Sequence, residues 1–537
     1  MDDLWLRIAA CVACTGFFFA GSLKMFGALQ QSGYRGSGFF RWLKNKENLY
    51  YNRIVLWTTM SVLLAAFFSV CFSFAGARLA SGISLAPLLF ISLLFFLADR
   101  KYALKVPLKV TGRIKRLAAV YVFFLAAIGF FFLSLLEFGA SVIDKPLIHC
   151  FKFAPFAFFP LLLPFIFALS NAVSSPFENA RNGKFVKRAG QVLNESNIIR
   201  VAVVGSYGKT SVKNILKTLL SEKYSVIATP HSFNTPIGIA KTVLNGEFAG
   251  KEVLIAEMGA RRIGDIEELC ALVKPDYALF TGVCAQHVES FGSEGNVFKG
   301  KCEILRGTNG TVVCGGGLEP HIMGAEFLSE EEKAKCAFVP FDGLIRNLRL
   351  GATETEFDFL LSSGTVHVKT KLLGRHSAEN IALAAYLAEK MGLTAVEIER
   401  AAAKLAPTAH RLELSENGGV YILDDSYNSN PRGAKEAIEA LRRFNGRKFV
   451  VTPGLVETGI LEEKISRELG AQLVGLDSVV LVGGTLVAPV KAGYLEAGGD
   501  GEKLRILPTL EDAQGYLETA LSLGDAVLFL NDLPDAY

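Results

Sequence analysis

Before residue 175 the chain carries five apolar segments, near 4–23, 54–75, 79–98, 117–137 and 149–172. Each approaches or exceeds the roughly 20 residues that carry a helix across a bilayer. In lipid a lone segment must satisfy its backbone internally, so these stretches have to be helices. Composition agrees: 51% of residues are hydrophobic and mean hydropathy is +0.34, and the excess lies in this part. The first segment lacks the cleavage pattern of a removed signal peptide. The loop from Lys24 to Arg53 holds six basic residues and one acidic, and that from Asp99 to Arg116 holds seven and one. Positive loops stay in the cytoplasm. Five spans then put the N-terminus outside and everything after residue 173 inside. No acid or base sits at the centre of a span, which favours an anchor or lipid-facing platform over a transport path. Arg41, Lys44 and Lys46, with Trp42 and Tyr50 beside them, suit both headgroup contact and a plain topology signal.

From Asn197 the texture changes. "NIIRVAVVG" reads as a buried strand and "KTSVKNILKTLLSEKY" as a helix with Val212, Ile215, Leu216 and Leu219 on one face. Further short apolar runs follow at "EVLIAEMG", "YALFTGV" and "TVVCGGG". Strands alternating with helices imply a mostly parallel sheet with helices on both faces, and such sheets bind ligands at the carboxyl ends of their strands. Near residue 350 "LRLGATETEFDFLLSSGTVHVKTKLLG" alternates like antiparallel hairpins, and "AENIALAAYLAEKMG" reads as a helix. After Pro407 a second α/β pattern runs through "VYILDD", "KFVVTPG", "DSVVLVGG" and "GDAVLFL". The expected architecture is an all-α transmembrane domain (1–176), a central α/β ATPase-like domain (177–405) and a smaller, Rossmann-like α/β C-terminal domain (406–537). A net charge of +4 gives no reason to expect nucleic acid. Nine cysteines at scattered spacings form no disulfide framework and suit a reducing compartment.

Within this frame "VAVVGSYGKTSVKN" resembles a phosphate loop but breaks the strict G-x-x-x-x-G-K-S/T pattern, since Val203 stands where the first glycine would be. Gly205 and Gly208 let the backbone turn tightly and aim N–H groups at an anion, and a helix starting near Lys209 adds its positive end. Lys209 supplies a mobile charge and Thr210 a hydroxyl for Mg²⁺. Glu257 closes "EVLIAE", at the same sheet edge as the loop, where an oxygen ligand for Mg²⁺ belongs. His287 follows a third strand end, and Lys301 lies fourteen residues on in a helix.

Eight segments in this order resemble the Mur ligases, the ATP-dependent ligases that build the peptide of peptidoglycan: "GSYGKTS", "SFNTPIG", "AEMGA", "TGVCAQHVESFGS", "KGKCEIL", "LLGRHSAENIALAA", "HRLEL" and "DDSYNSNP". They cover roughly residues 197–535. The resemblance implies an ATP-dependent carbon–nitrogen ligase. A carboxylate takes the γ-phosphate of ATP, and the acyl phosphate then yields to an amine. It implies that Gly205, Ser206, Tyr207, Gly208, Lys209, Thr210 and Ser211 cradle phosphates, with Asn234 beside them. Thr210 and Glu257 would hold one Mg²⁺, and His287 and a carbamylated Lys301 a second. Arg411 would meet the γ-phosphate once the domains close. Asp425, in preference to Asp424, would lie near the ribose, and His376 and Asn380 would shape the adenine side. Lys209, His287, Lys301 and Arg411 are the expected catalytic set.

Departures fall in telling places. The membrane segments replace the soluble domain that grips UDP in the family, so the carboxylate expected is that of a cell-wall precursor, lipid-linked or not. Ser377 stands for the usual Asn, "VTPGLVETG" lacks the usual Asp, and "FLNDLPDAY" replaces K-G-S-R-G. The last two lie where the amine is selected, leaving an amino acid or a D-alanyl-D-alanine-like dipeptide. A bacterial inner-membrane ligase with cytoplasmic catalytic domains is the first expectation. A poly-γ-glutamate-type polymer ligase is the alternative, and an ATP-driven transporter and an inactive scaffold rank lower.

Overall fold

A computed structural model describes residues 2–44, 50–71, 90, 93–94, 96–97, 108–142, 158–284, 288–427, 429–456, 458, 461–484 and 486–531. They form two compact units, divided between Arg181 and Asn182.

The first unit is helical. It contains Asp2–Gly21, Leu23–Gln31, Gly36–Lys44, Tyr50–Cys71, Gly112–Val142 and the first part of Phe159–Glu195. Aromatic rings fill its core. Tyr121 and Phe26 meet Phe167 edge-on at 5.2 and 4.8 Å, and Phe39 lies 5.2 Å from the same ring. The buried Tyr121 hydroxyl pairs with Ser22 Oγ at 2.9 Å, which satisfies both groups away from water. Among the described residues, two helices are long and apolar enough to cross a membrane, Gly112–Phe132 and Phe159–Glu195. A third span arises if Cys11–Gly21 and Leu23–Gln31, bent by 41°, act together. Of the five expected spans, two or three are found among the described residues. The segment expected at 54–75 falls largely in the 22-residue helix Tyr50–Cys71, and the segment expected at 79–98 lies mostly outside the described residues. The Lys24–Arg53 segment is no simple loop. Two amphipathic helices occupy it, and Trp42, for which headgroup contact was one of two readings, is buried beside Phe39. Its indole follows the apolar face of the helix, while Arg41 and Lys44 are exposed. Lys46 lies outside the described residues.

The second unit holds three sheets. The central sheet is parallel throughout, in the order β2-β3-β1-β4-β5-β6, with β1 Ile199–Val204, β2 Val226–Ala228, β3 Val253–Glu257, β4 Tyr277–Phe280, β5 Val312–Gly315 and β6 Cys336–Val339. In β1, "VAVV" is buried on both faces, which explains its unbroken apolar run. The helix Lys209–Leu220 lays Val212, Ile215, Leu216 and Leu219 against the sheet. Each such side chain contributes roughly 1.5–3 kcal/mol by leaving water. Strands β7 Ile345–Leu350, β8 Thr355–Leu361 and β9 Gly364–Thr370 form the expected antiparallel sheet. Helix Arg375–Lys390 then packs against both β8 and Lys209–Leu220.

The C-terminal sheet runs β10-β11-β15-β12-β13-β14. Its strands are β10 Glu413–Asn417, β11 Val420–Asp425, β12 Lys448–Thr452, β13 Ser478–Val482, β14 Leu504–Leu507 and β15 Ala526–Leu530. Only β10 is antiparallel to its neighbour. The carboxyl ends of β1, β3 and β4 and the loop after β11 supply the residues considered next.

Candidate active site

The loop between β1 and Lys209–Leu220 is held from both sides. Ser206 N donates to Gly282 O at 2.8 Å, and Thr281 Oγ1 donates to Tyr207 O at 2.5 Å. A Cβ at Gly205 would lie 2.0 Å from Thr281 Oγ1, so the close approach requires glycine there. Gly208 caps the helix at φ +72°, a left-handed conformation, and a Cβ on it would meet Asn380 Oδ1 at 2.9 Å. Asn380, on Arg375–Lys390, is thereby set directly on the loop. Lys209 Nζ folds back to donate to the carbonyls of Gly205 (2.7 Å) and Ser206 (3.2 Å).

At the end of β3 sits Glu257, 1% exposed. Thr210 Oγ1 donates to it at 2.9 Å, Lys213 Nζ at 3.1 Å and Asn234 Nδ2 at 3.3 Å. Thr210 and Glu257 thus come together as a hydroxyl and a carboxylate beside a phosphate loop, hard oxygen donors of the kind Mg²⁺ takes, and they fit that ion. Lys213 is the member sequence reasoning missed. It lies one turn after Lys209 on the apolar face of its helix, and it also donates to His231 O. A lysine in that stripe needs a buried partner, which was the available signal.

Lys301 projects from helix Glu294–Gly307 and is 1% exposed, its Nζ 3.1 Å from Gly205 O. Lys209 and Lys301 therefore converge on one carbonyl oxygen. Burial, then the charge of Lys209, brings Lys301 down to about 7; burial also lowers Lys209. Beside them burial pushes the Cys284 thiol up to about 11. His287 lies outside the described residues. Among the described residues no three His, Cys, Asp or Glu side chains gather as a metal cage.

The C-terminal domain forms the opposite wall of a cleft of about 560 Å³, which Tyr207, Gly208, Ser211, His376, Asn380, Arg411 and Asp425 help line. The Arg411 guanidinium stacks on Tyr427, 4.6 Å from the ring centre. Asp425 accepts from Leu412 N (3.1 Å) and Ser429 Oγ (3.0 Å), and burial pushes it up to about 6. Asp424 instead binds His410 Nδ1 at 2.7 Å and Ser426. His376 Nδ1 lies 3.5 Å from Glu436. Ser377, the family's usual Asn, donates to Leu373 O at 2.7 Å within its own helix turn. Arg432, which no sequence pattern singled out, lines the same cleft.

Comparison with known proteins bears on this constellation. Residues 203–388 match the Mur ligase middle domain and residues 410–530 the Mur ligase glutamate ligase domain. A UDP-N-acetylmuramoyl-tripeptide–D-alanyl-D-alanine ligase of Escherichia coli is 31% identical over 296 residues, 53% of this chain and 64% of that protein. The enzyme so named from Bacillus subtilis is 29% identical over 338 residues, 61% of this chain and 72% of its own length. The match thus spans less than two thirds of the first relative. The crystal structure of a MurF ligase from Thermotoga maritima in complex with ADP shares the fold at TM-score 0.58 and 28% identity, covering 65% of this chain and 80% of that one.

Proposed function

Since the chain belongs to the Mur ligase family through its middle and C-terminal domains, we propose that it is an ATP-dependent amide ligase of peptidoglycan precursor synthesis, working at the cytoplasmic membrane. The observation that carries this reading is the meeting of Lys209 and Lys301 on the carbonyl of Gly205. Two buried ammonium groups repel at that separation, and the pair is eased when Lys301 is a free amine. A free amine adds to CO₂ and, with loss of a proton, becomes a carbamate, an anion longer than aspartate. Carbamylation of Lys301 thus replaces a repulsive neighbour of Lys209 by an attractive one.

The chemistry sets what these side chains must do. A carboxylate is a poor acyl donor until one of its oxygens can leave as phosphate. That oxygen attacks the γ-phosphorus of ATP, and the bond to ADP breaks. The amine nitrogen then attacks the acyl carbon, loses a proton and expels phosphate. Substrate carboxylate and triphosphate repel, so cations must lie between them. Lys209 and the loop amides hold the terminal phosphates, and Arg411 approaches from the C-terminal wall. Thr210 and Glu257 would hold Mg²⁺, which neutralises developing charge on the phosphates. Asn234 and Lys213 fix the Glu257 carboxylate. His376 and Asn380 shape the base side of the cleft, with Asp425 toward the sugar. We assign His287 to a second cation together with carbamylated Lys301.

The acceptor we propose is the carboxylate of a cell-wall precursor, lipid-linked where the apolar unit replaces a UDP-gripping domain. The nucleophile is an amino acid or a D-alanyl-D-alanine-like dipeptide; the ligases named above from E. coli and B. subtilis support the dipeptide. For placement, two contacts support the cytoplasmic reading of both basic segments. Gln30 Nε2 donates to Lys109 O at 2.9 Å, and Arg113 stacks on Tyr34 at 3.7 Å, so the two segments meet at one end of the helical unit. We keep the domain limits 1–176, 177–405 and 406–537. The test uses the full chain in detergent with ATP, Mg²⁺, a precursor tripeptide carboxylate and D-alanyl-D-alanine. ADP should appear only when both co-substrates are present, with an amide product of the summed mass less water. ATP turnover indifferent to both removes the ligase reading.

A further inference from the structure

We infer that Tyr207 and Arg432 form a latch that closes the C-terminal domain over the phosphate loop and so positions Arg411; the inference rests on the reading of the cleft as the nucleotide site. Tyr207 is the second of the two residues between Gly205 and Gly208. Its ring reaches across the sheet edge because Gly282, at φ +153°, has no side chain: a Cβ there would lie 2.0 Å from the Tyr207 hydroxyl oxygen. From the other wall, Arg432 Nη1 donates to that hydroxyl at 2.5 Å, and its guanidinium carbon lies 4.8 Å from the ring centre. Its second arm donates to Glu379 on Arg375–Lys390, which also receives Arg375 Nε at 3.2 Å. One side chain of the C-terminal domain is thus bound to two elements of the central domain, the nucleotide loop and the helix that carries Asn380.

Arg432 has no local reason to be where it is. It is the second residue of helix Pro431–Leu441, whose N-terminus Asn430 caps through the N–H groups of Arg432 and Gly433. A cation in a first turn opposes the helix dipole. Across the wall the arrangement gives it a purpose. A guanidinium is a rigid fork that can hydrogen-bond one partner and stack on another at once, and here it joins an acid and a phenol on separate elements. A second contact joins the same two domains: Ser232 Oγ and the Tyr427 hydroxyl lie 2.6 Å apart. Tyr427 is the ring on which Arg411 stacks. Closing the latch therefore fixes the platform of Arg411, and Arg432 is a positioning residue with no need to touch phosphate itself.

The test is a double-mutant cycle on the full chain in detergent, with Arg432→Gln, Tyr207→Phe and both. It reads kcat and KM for ATP. It also reads the distance between spin labels on exposed sites of the two domains, with and without a non-hydrolysable ATP analogue. A latch predicts that each single change lowers kcat about tenfold and shifts KM for ATP less than about threefold, since closure acts after binding. The double variant should be no slower than Arg432→Gln alone, and the label distance should lengthen and broaden in all three. Arg432→Lys, which keeps the charge without the fork, should recover only part of the effect. Gly282→Ala should copy Tyr207→Phe, because it displaces the ring while leaving the hydroxyl in the sequence. Multiplying effects, or distances unchanged from the parent chain, overturn the latch and leave the ligase reading standing. Should the chain bind the analogue and form no amide, the ligase reading falls, and the distances still decide the latch.

Discussion

At Lys301 a single side chain links burial to chemistry. Its amine lies at about 7 through burial and then the charge of Lys209, so the fraction able to take up CO₂ rises between about pH 6 and 8. Amide formation should rise over the same interval, and removal of CO₂ should blunt it at every pH. Lys301→Ala should lose at least about a hundredfold in kcat, with partial recovery by a short carboxylate supplied in solution. Full activity in the variant defeats the carbamate. Asp425 gives a stability test of the opposite sense to a surface carboxylate. Burial raises it from 3.8 to about 6. Between those values the native state keeps a proton that the unfolded chain has lost, so its contribution to stability falls as pH climbs from about 4 to about 6. Urea unfolding across that window should show a flatter profile for Asp425→Asn. The carboxylate at Glu257 and the hydroxyl at Thr210 were legible from loop and strand end. Lys213 and Arg432 were not, because their partners are distant in sequence: Glu257 for one, Tyr207 and Glu379 for the other.

Elements show where pattern reading works. Every strand recognised from an apolar run lies inside a sheet: β1, β3, β4 and β5 in the first, β11, β12, β13 and β15 in the second. The four that were passed over, β2, β6, β10 and β14, are the edges of those two sheets. An edge strand faces a neighbour on one side only, so it is short, as β2 and β6 are, or carries polar residues, as β10 and β14 do, and leaves no long apolar run. β10, "ELSEN", has three exposed residues of five. The phosphate loop was legible because glycine is needed at defined points. Gly208→Ala tests that need: φ +72° in a residue with a side chain, and Asn380 Oδ1 2.9 Å from the new methyl. It should lower stability by about 1–2 kcal/mol and raise KM for ATP, measured by chemical unfolding and initial rates.

The whole chain joins two kinds of folding problem. The second unit, from Asn182, holds its own cores and all the residues assigned to ATP. A chain starting at Asn182 should therefore fold and bind ATP without detergent, while the full chain should sediment with membranes and resist carbonate extraction. A full chain that washes off with salt speaks against spans through Gly112–Phe132 and Phe159–Glu195. Hydropathy alone placed five spans, and among the described residues two or three are long and apolar enough to cross a membrane. An apolar stretch of 20 residues is a span only if it forms one helix of that length. The first of the expected five forms one 20-residue helix, Asp2–Gly21, and a 41° bend then leads into a second helix that packs inside the unit.

Local pattern determined the parts whose chemistry is local: the parallel central sheet, the loop that turns on Gly205 and Gly208, the acid that ends β3 and the helix that carries Lys301. Each follows from strand burial, glycine conformations or helix spacing within a few residues of chain. Tertiary structure alone decided what faces those parts. It set Lys301 against Lys209, Lys213 beneath Glu257, Asp425 in the cleft with Asp424 turned to His410, and Arg432 over Tyr207. Such pairings depend on how separate elements pack, and which charged groups are buried, paired or opposed follows from that packing, a quantity no single stretch of sequence contains.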